Sequence, residues 1–226
     1  MERPPLSAAA EDYVKQLYLI GHEAAGAATT QSVADALHVT PASATGMLRR
    51  LAELELVDYT AYHGATLTAN GRSAALSLLR RHRLLESFLH RVLGYALDEV
   101  HEEAEALEHA MSDTLVERLD AFLGRPEFDP HGDPIPRPGG ELPDQAGIAL
   151  SQVAPGTLVR VRRVPGGGAV LRSLAGWGVT PGQLARVTSC DPGLGVLTLV
   201  VNGQAVTLAS AAAAQVLVEP TGEASE

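Results

Sequence analysis

Residues 29–57, TTQSVADALHVTPASATGMLRRLAELELV, decide how the chain is read. Thr29 or Thr30 is suited to cap a short helix through Ala36, because a hydroxyl oxygen accepts a backbone N–H that the first turn leaves over. Residues 37–40 read as a tight turn. Pro41 suits the first turn of a second helix, where a missing N–H costs nothing, and that helix runs to about Glu55. The next stretch, LVDYTAYHGATLTANGR at 56–72, alternates apolar and polar residues around His63-Gly64 and predicts a hairpin of two short strands. Helix, turn, helix and hairpin in this order make the pattern of a winged helix-turn-helix, a DNA-reading fold.

Upstream, helical spacing from about Ala8 to His22 sets Ala10, Val14, Leu17, Tyr18 and Gly21 on one face. Downstream, two longer helices are predicted, over 73–93 and over 97–123. The stretch LGRPEFDPHGDPIPRPGGELPDQAG at 123–147 is rich in Pro and Gly and reads as an irregular or linking segment. From Ile148 the runs VRVRRV, ARVTSC, GVLTLVV and AVTLA predict a small all-β barrel. Within it, Pro165-Gly166-Gly167-Gly168, Gly193-Leu194-Gly195 and Asn202-Gly203 read as hairpin turns, and Leu174 and Trp177 as barrel core. The fold class is therefore mainly α with small β. The predicted domains are a winged helix-turn-helix over 1–72, a helical domain over 73–137, a linker over 138–150 and a small β-barrel domain over 151–221.

The 226 residues are 46% hydrophobic, enough to bury real cores. No apolar run reaches the roughly 18 residues that span a bilayer, and the N-terminus lacks the pattern of a signal peptide. The single cysteine, Cys190, allows no internal disulfide, which suits a cytoplasmic protein. The net charge of −10 is unevenly spread: residues 1–91 hold nine basic and nine acidic side chains, residues 92–145 three and fourteen, and residues 146–226 five and four. The middle of the chain invites a cation, and the first segment remains free to meet DNA.

The acidic middle contains HEEAEALEH at 101–109. On one continuous helix, His101, Glu105, Glu108 and His109 project from one face, beside an apolar stripe of Val100, Ala104, Leu107, Met111 and Leu115. In the preceding helix, His82 and Glu86 fall within the stripe Leu78, Leu79, Leu85, Leu89, Val92 and Leu93. A His and a carboxylate on an apolar face need a partner when buried, and a metal is one such partner. Nitrogen and hard oxygen ligands without thiolate suit Mn(II), Fe(II) or zinc. The spacing Glu-x-x-Glu-His occurs once, which argues against a di-metal carboxylate enzyme, whose four-helix bundle needs paired Glu-x-x-His motifs. A winged-helix regulator of an organic ligand is the other alternative.

These stretches, together with EDYVKQLYLI at 11–20, TPASATGMLRRL at 40–51, RRHRLLESFL at 80–89 and VHEEAEALEHAMSD at 100–113, resemble the diphtheria toxin repressor family. The likeness is greater to its manganese transport regulator branch. LRSLAGWGVTPGQLARV at 171–187 is similar to the SH3-like domain of longer members. The resemblance implies a primary metal site at Asp12, Glu105, Glu108 and His109, and a second at His82, Glu86 and His101. Carboxylates at 12 and 105, where iron-selective members carry sulfur, imply Mn(II), with Fe(II) as the other candidate. Two departures stand out. The manganese branch has a glutamate where this chain has Lys15, and long iron-type members have a Glu and a Gln where it has Gly167 and Val170.

The resemblance implies a homodimeric repressor of metal-uptake genes that is not an enzyme, binds double-stranded operator DNA and has no membrane partner. A cation between Asp12 and the acidic helix would relieve carboxylate repulsion and set the spacing of two recognition helices. Thr40, Pro41, Ser43 and Thr45 are the residues expected near bases. Arg49 and Arg50 are expected at phosphates.

Overall fold

The computed structural model describes residues 6–24, 26–61 and 63–221, so Tyr62 of the predicted wing lies outside the described residues. Two compact units result. One comprises Met1–His82, Glu108–Met111 and Pro136–Glu141, and the other Arg83–Leu107, Ser112–Ile135 and Leu142–Glu226.

The first unit contains α1 (Ala8–Ala24), α2 (Thr30–Ala36), α3 (Pro41–Glu53), β1 (Val57–Thr60) and β2 (Gly64–Leu67). Thr29 caps α2 by accepting the Ser32 N–H at 3.0 Å, and Thr40 caps α3 by accepting that of Ser43 at 3.2 Å. Between the helices His38 takes a left-handed conformation, φ 53°, which reverses the chain tightly. α3 buries Ala44, Leu48 and Leu51, at i, i+4 and i+7, and packs against α1 and α2. β1 and β2 pair antiparallel with Val57 opposite Leu67, and Ala28 bridges to Ala65. α1 buries Ala10, Val14, Leu17 and Tyr18 and packs on α2, α3 and β2. Any force on α1 is thereby passed to the helix-turn-helix.

α4 (Ala69–Arg91) begins in the first unit and ends in the second. His82 and Glu86 are buried on it, as their stripe position requires, but Val92 and Leu93 lie beyond its end and are exposed.

The single helix predicted over 97–123 is broken. α5 (Val100–Leu107) passes into a one-turn 3-10 helix at Glu108–Ala110, and α6 (Asp113–Phe122) starts afresh. The cause is Ser112, whose extended backbone (φ −75°, ψ 152°) lets its hydroxyl accept the Leu115 N–H at 3.3 Å. Serine serves better as a cap than in a helix interior. With the break, the predicted apolar stripe divides: Val100, Ala104 and Met111 are buried, while Leu107 and Leu115 are exposed.

The second unit also contains a six-stranded antiparallel sheet, ordered β3-β8-β4-β5-β6-β7. Its strands are β3 (Ile148–Ala149), β4 (Leu158–Arg163), β5 (Leu184–Asp191), β6 (Val196–Val201), β7 (Gln204–Ala209) and β8 (Leu217–Pro220). The inward residues alternate along each strand, among them Val159 and Val161 of β4 and Leu197 and Leu199 of β6. Register shifts between Val161 and Arg163 and between Val187 and Ser189 bend the sheet. Two helices interrupt the predicted all-β pattern, α7 (Gly168–Gly176) and α8 (Ser210–Ala213). The glycines at 166–168, predicted as a hairpin turn, lead into α7 instead, with Gly167 at its cap. Leu171 and Leu174, three apart, anchor α7 in the core, but Trp177 is 41% exposed. Residues 193–195 and Asn202-Gly203 do turn hairpins.

The stretch predicted as a linker is closely held. Gly132, at φ 90°, lies so near β4 that a Cβ there would stand 2.0 Å from the Arg162 carbonyl oxygen. Val164 N–H donates to the His131 carbonyl at 2.9 Å, and the Arg163 guanidinium donates to Asp133 at 2.6 Å.

Candidate metal centre

In the first unit α1 carries Glu11, Asp12 and Lys15 within one turn, and the 3-10 helix carries Glu108 and His109. His109 Nε2 stands 2.9 Å from Asp12 Oδ1 and 3.7 Å from Glu108 Oε1. Ligand atoms of Asp12, Glu108 and His109 all lie within 4.8 Å of one another. Two carboxylate oxygens and an imidazole nitrogen, with Glu108 fully buried, form a donor set that fits Mn(II), Fe(II) or zinc. The continuous helix expected to carry His101, Glu105, Glu108 and His109 on one face is not present; the short 3-10 turn instead sets Glu108 and His109 toward α1.

Glu11, not picked out in the sequence, completes the arrangement. Its Oε2 lies 2.6 Å from His109 Nδ1, and Arg81 lies 3.9 Å from its other oxygen. A carboxylate on one ring nitrogen fixes the imidazole and leaves the other nitrogen for a metal. Burial alone would lower the His109 pKa, but the Glu11 hydrogen bond and the charges of Asp12 and Glu108 more than reverse this, so it is raised. The only sequence signal for Glu11 was its place beside Asp12.

Both oxygens of Glu108 are engaged. Lys15 Nζ donates to Oε1 at 2.5 Å, and His82 Nδ1 lies 2.7 Å from Oε2. His82, expected with Glu86 and His101, thus also meets a carboxylate of the primary set. Glu105, expected beside Glu108, belongs to the second unit, where its Oε1 is 3.8 Å from His101 Nε2.

In the second unit Glu86 reaches two histidines, with His101 Nδ1 3.3 Å from Oε1 and His131 Nδ1 3.5 Å from Oε2. Glu86, Asp129 and His131 are all buried, with ligand atoms within 4.8 Å of one another. His131 Nε2 donates to the Leu97 carbonyl at 2.9 Å, so Nδ1 faces Glu86. Asp129 Oδ1 accepts the His131 and Asp133 N–H groups, each at 2.9 Å. Burial, with Glu86 and Asp133 nearby, pushes Asp129 up to about 8 against the pull of Arg83 and His131. For His131, burial lowers the pKa, but the Glu86 hydrogen bond and the charges of Glu86 and Asp129 raise it overall. Sequence reasoning missed this cluster because Asp129 and His131 lie in a Pro/Gly-rich stretch without periodicity. A Cβ at Gly167 would be 3.9 Å from the His101 ring, so position 167 does face His101 but offers no ligand.

On α3, Thr40, Pro41, Ser43, Arg49 and Arg50 are exposed, and Thr45 is half-buried, its hydroxyl donating to the Pro41 carbonyl at 2.8 Å. The exposed face is small at its start, with Ala42 and Gly46, and basic at its end.

Three family models match the chain. "Iron dependent repressor, N-terminal DNA binding domain" covers residues 5–65, "Iron dependent repressor, metal binding and dimerisation domain" covers 68–137, and "FeoA domain" covers 148–220. An HTH-type transcriptional regulator of Methanocaldococcus jannaschii is 36% identical over 118 residues, 52% of this chain and 94% of that protein. The HTH-type transcriptional regulator MntR of Bacillus subtilis is 36% identical over 109 residues, 48% of this chain and 75% of its own length. Among solved structures, a manganese-dependent transcriptional repressor in complex with manganese aligns with TM-score 0.83 at 38% identity, covering 94% of this chain and all of that one. IdeR of T. acidophilum aligns with TM-score 0.75 at 26% identity, covering 97% of this chain and all of that one.

Proposed function

The chain belongs to the iron-dependent repressor family, and on that premise we propose that it is a metal-gated transcriptional repressor, acting on operator DNA as a homodimer in the cytoplasm and controlling metal uptake. The observation that carries this reading is the convergence of Asp12, on α1, with Glu108 and His109. Asp12 and Glu108 bring two carboxylates into a half-buried site in which Lys15 offsets one charge, leaving a remaining demand for positive charge. A divalent ion there supplies the positive charge that lets them stay together. Manganese is the favoured ion, because the donors are carboxylate and imidazole and several similar structures are named for manganese; Fe(II) is the alternative. The resemblance adds Glu105 to this set, and Glu86 with His101 or His131 forms a further candidate centre.

The gate works through α1. Held at Asp12, α1 keeps its packing on α2, α3 and β2, so the recognition helix α3 is presented in one position. Thr40, Pro41, Ser43 and Thr45 then face bases, and Arg49 and Arg50 face phosphates. In a dimer, two fixed α3 helices match two half-sites. Released at Asp12, α1 and α3 sample other positions and the match is lost.

Fluorescence anisotropy with a labelled duplex from upstream of a metal-uptake gene tests this. Mn(II) should tighten binding by about 10- to 100-fold over chelator-treated protein, within the usual range of coupling between sites. Asp12→Ala and Glu105→Ala should abolish the difference. Full metal dependence in Asp12→Ala, or DNA binding that ignores chelator, would rule the gate out.

A further inference from the structure

We infer that the cleft between the end of α1, the wing strand β2 and the start of α4 is a binding site for a small organic carboxylate, with the Arg72 guanidinium as the group that grips it. The inference goes beyond the metal gate, and its binding test does not depend on that gate.

The cleft lies wholly within the first unit and has a volume of about 260 Å³. Tyr18 and His22, one helical turn apart on α1, stack with ring centroids 5.9 Å apart and planes 9° from parallel. Arg72 Cζ lies 5.3 Å from the centroid of the Tyr18 ring, a cation–π contact that holds an exposed cation in place. Leu17 and Leu67 add apolar wall, and Thr66 also borders the cleft. No carboxylate of the described residues lines it, although the chain's net charge is −10. Arg81, Arg83 and Arg163 each meet an acidic side chain. Among the described residues Arg72 meets none, and its side chain rests on Tyr18.

A guanidinium is the side chain best matched to a carboxylate, because its paired N–H groups meet both oxygens at once. Held against the Tyr18 ring, it loses little freedom when the anion arrives. The Tyr18 hydroxyl makes a second demand. Tyr18 is 6% exposed, and its hydroxyl is buried with no hydrogen-bond partner among the described residues. A buried hydroxyl without a partner is destabilising, and a carboxylate oxygen supplies the acceptor. The apolar wall decides between anions. A bare phosphate, whether free or on DNA, leaves Leu17, Leu67 and the aromatic ring without a contact, whereas a carboxylate with a short apolar body covers them. Such a ligand ties α1, the helix that also carries Asp12, to a strand of the wing.

The test is a nuclear magnetic resonance titration of the full chain with benzoate, butyrate and inorganic phosphate. Both carboxylates should shift the amides of residues 17–22 and 65–72 saturably, and phosphate should bind more weakly. Arg72→Met should weaken benzoate about tenfold or more, the effect of losing a charge-assisted pair. Arg72→Lys keeps the charge if the methionine variant fails to fold, and should still weaken benzoate several-fold, because an ammonium does not meet both oxygens. Tyr18→Phe should weaken benzoate while raising the Tm of the free protein, since it removes an unpartnered hydroxyl; a purely structural role for Tyr18 predicts no change in affinity. Absence of saturable shifts in these segments with either carboxylate would overturn the inference. So would benzoate affinity unchanged in both Arg72 variants, or phosphate binding as tightly as benzoate. A salt slope of DNA binding reduced by about 0.9 in Arg72→Met, without carboxylate binding to the parent, would assign Arg72 to a DNA phosphate instead and overturn it too.

Discussion

His109 is held from behind by Glu11: its Nδ1 lies 2.6 Å from Glu11 Oε2, while its Nε2 faces Asp12 at 2.9 Å. The two contacts leave each ring nitrogen facing its own carboxylate; in the proposed centre the first would orient the ring and the second would be free for a metal.

Glu11→Gln removes the charge behind the ring while keeping the size. We expect Mn(II) affinity to fall by about 10- to 100-fold, the usual cost of losing a carboxylate behind a ligating histidine. Competition against a chromophoric chelator measures it. An unchanged affinity would show that Glu11 does not orient His109.

Arg49→Ala and Arg50→Ala should each weaken DNA binding on every sequence alike. Each should reduce the slope of log K against log salt by about 0.9, the contribution of one phosphate contact. Thr40→Ala should leave that slope unchanged and instead destabilise the first unit by about 1 kcal/mol, because the Thr40 hydroxyl caps α3. A salt titration of anisotropy and a urea melt separate the two effects.

Leu115 and Phe122 are 49% and 68% exposed and lie seven residues apart on α6, on one face. Exposed apolar side chains at helical spacing in a domain matched as a dimerisation domain are the expected dimer seam. Leu115→Arg combined with Phe122→Glu should raise the dimer dissociation constant by at least about a hundredfold. Sedimentation equilibrium reports it. A double variant that stays dimeric would place the seam elsewhere.

Metal-free protein should lose stability as pH rises. Asp129, pushed up to about 8, holds its proton more tightly folded than unfolded, so its contribution is present at low pH and is lost between about pH 4 and about 8. His131 is also raised; its contribution is full below about 6.5 and is lost as pH rises through the folded value. Both act in the same direction. Thermal melts in chelator should show Tm falling from about pH 5.5 to about pH 8.5, and Asp129→Asn should flatten the fall. A parent Tm that rises over this range would contradict the cause given.

Local signals carried the DNA-binding half. Thr29 and Pro41 do in the structure what their chemistry predicts in any helix start, Thr40, read as the end of a turn, also caps α3, and Ala44, Leu48 and Leu51 recur at the helical period. Such features act over one or two turns, so a sequence displays them whole. The candidate ligands Asp12, Glu108 and His109 are implied by family resemblance, the two latter also by spacing. That spacing assumed a continuous helix, which Ser112 and the 3-10 turn interrupt.

What the sequence determined by itself, then, is the winged helix-turn-helix, the helical middle followed by a β domain and the acidic, cation-inviting character of residues 92–145, because periodicity, capping and charge are short-range properties. Only the tertiary structure decided that Glu11 stands behind His109, that Lys15 meets Glu108 across 93 residues, and that Asp129 and His131 close on Glu86. Those pairings depend on burial, which makes unpaired charges costly and forces distant residues to find one another, and burial is not written in any one stretch of chain.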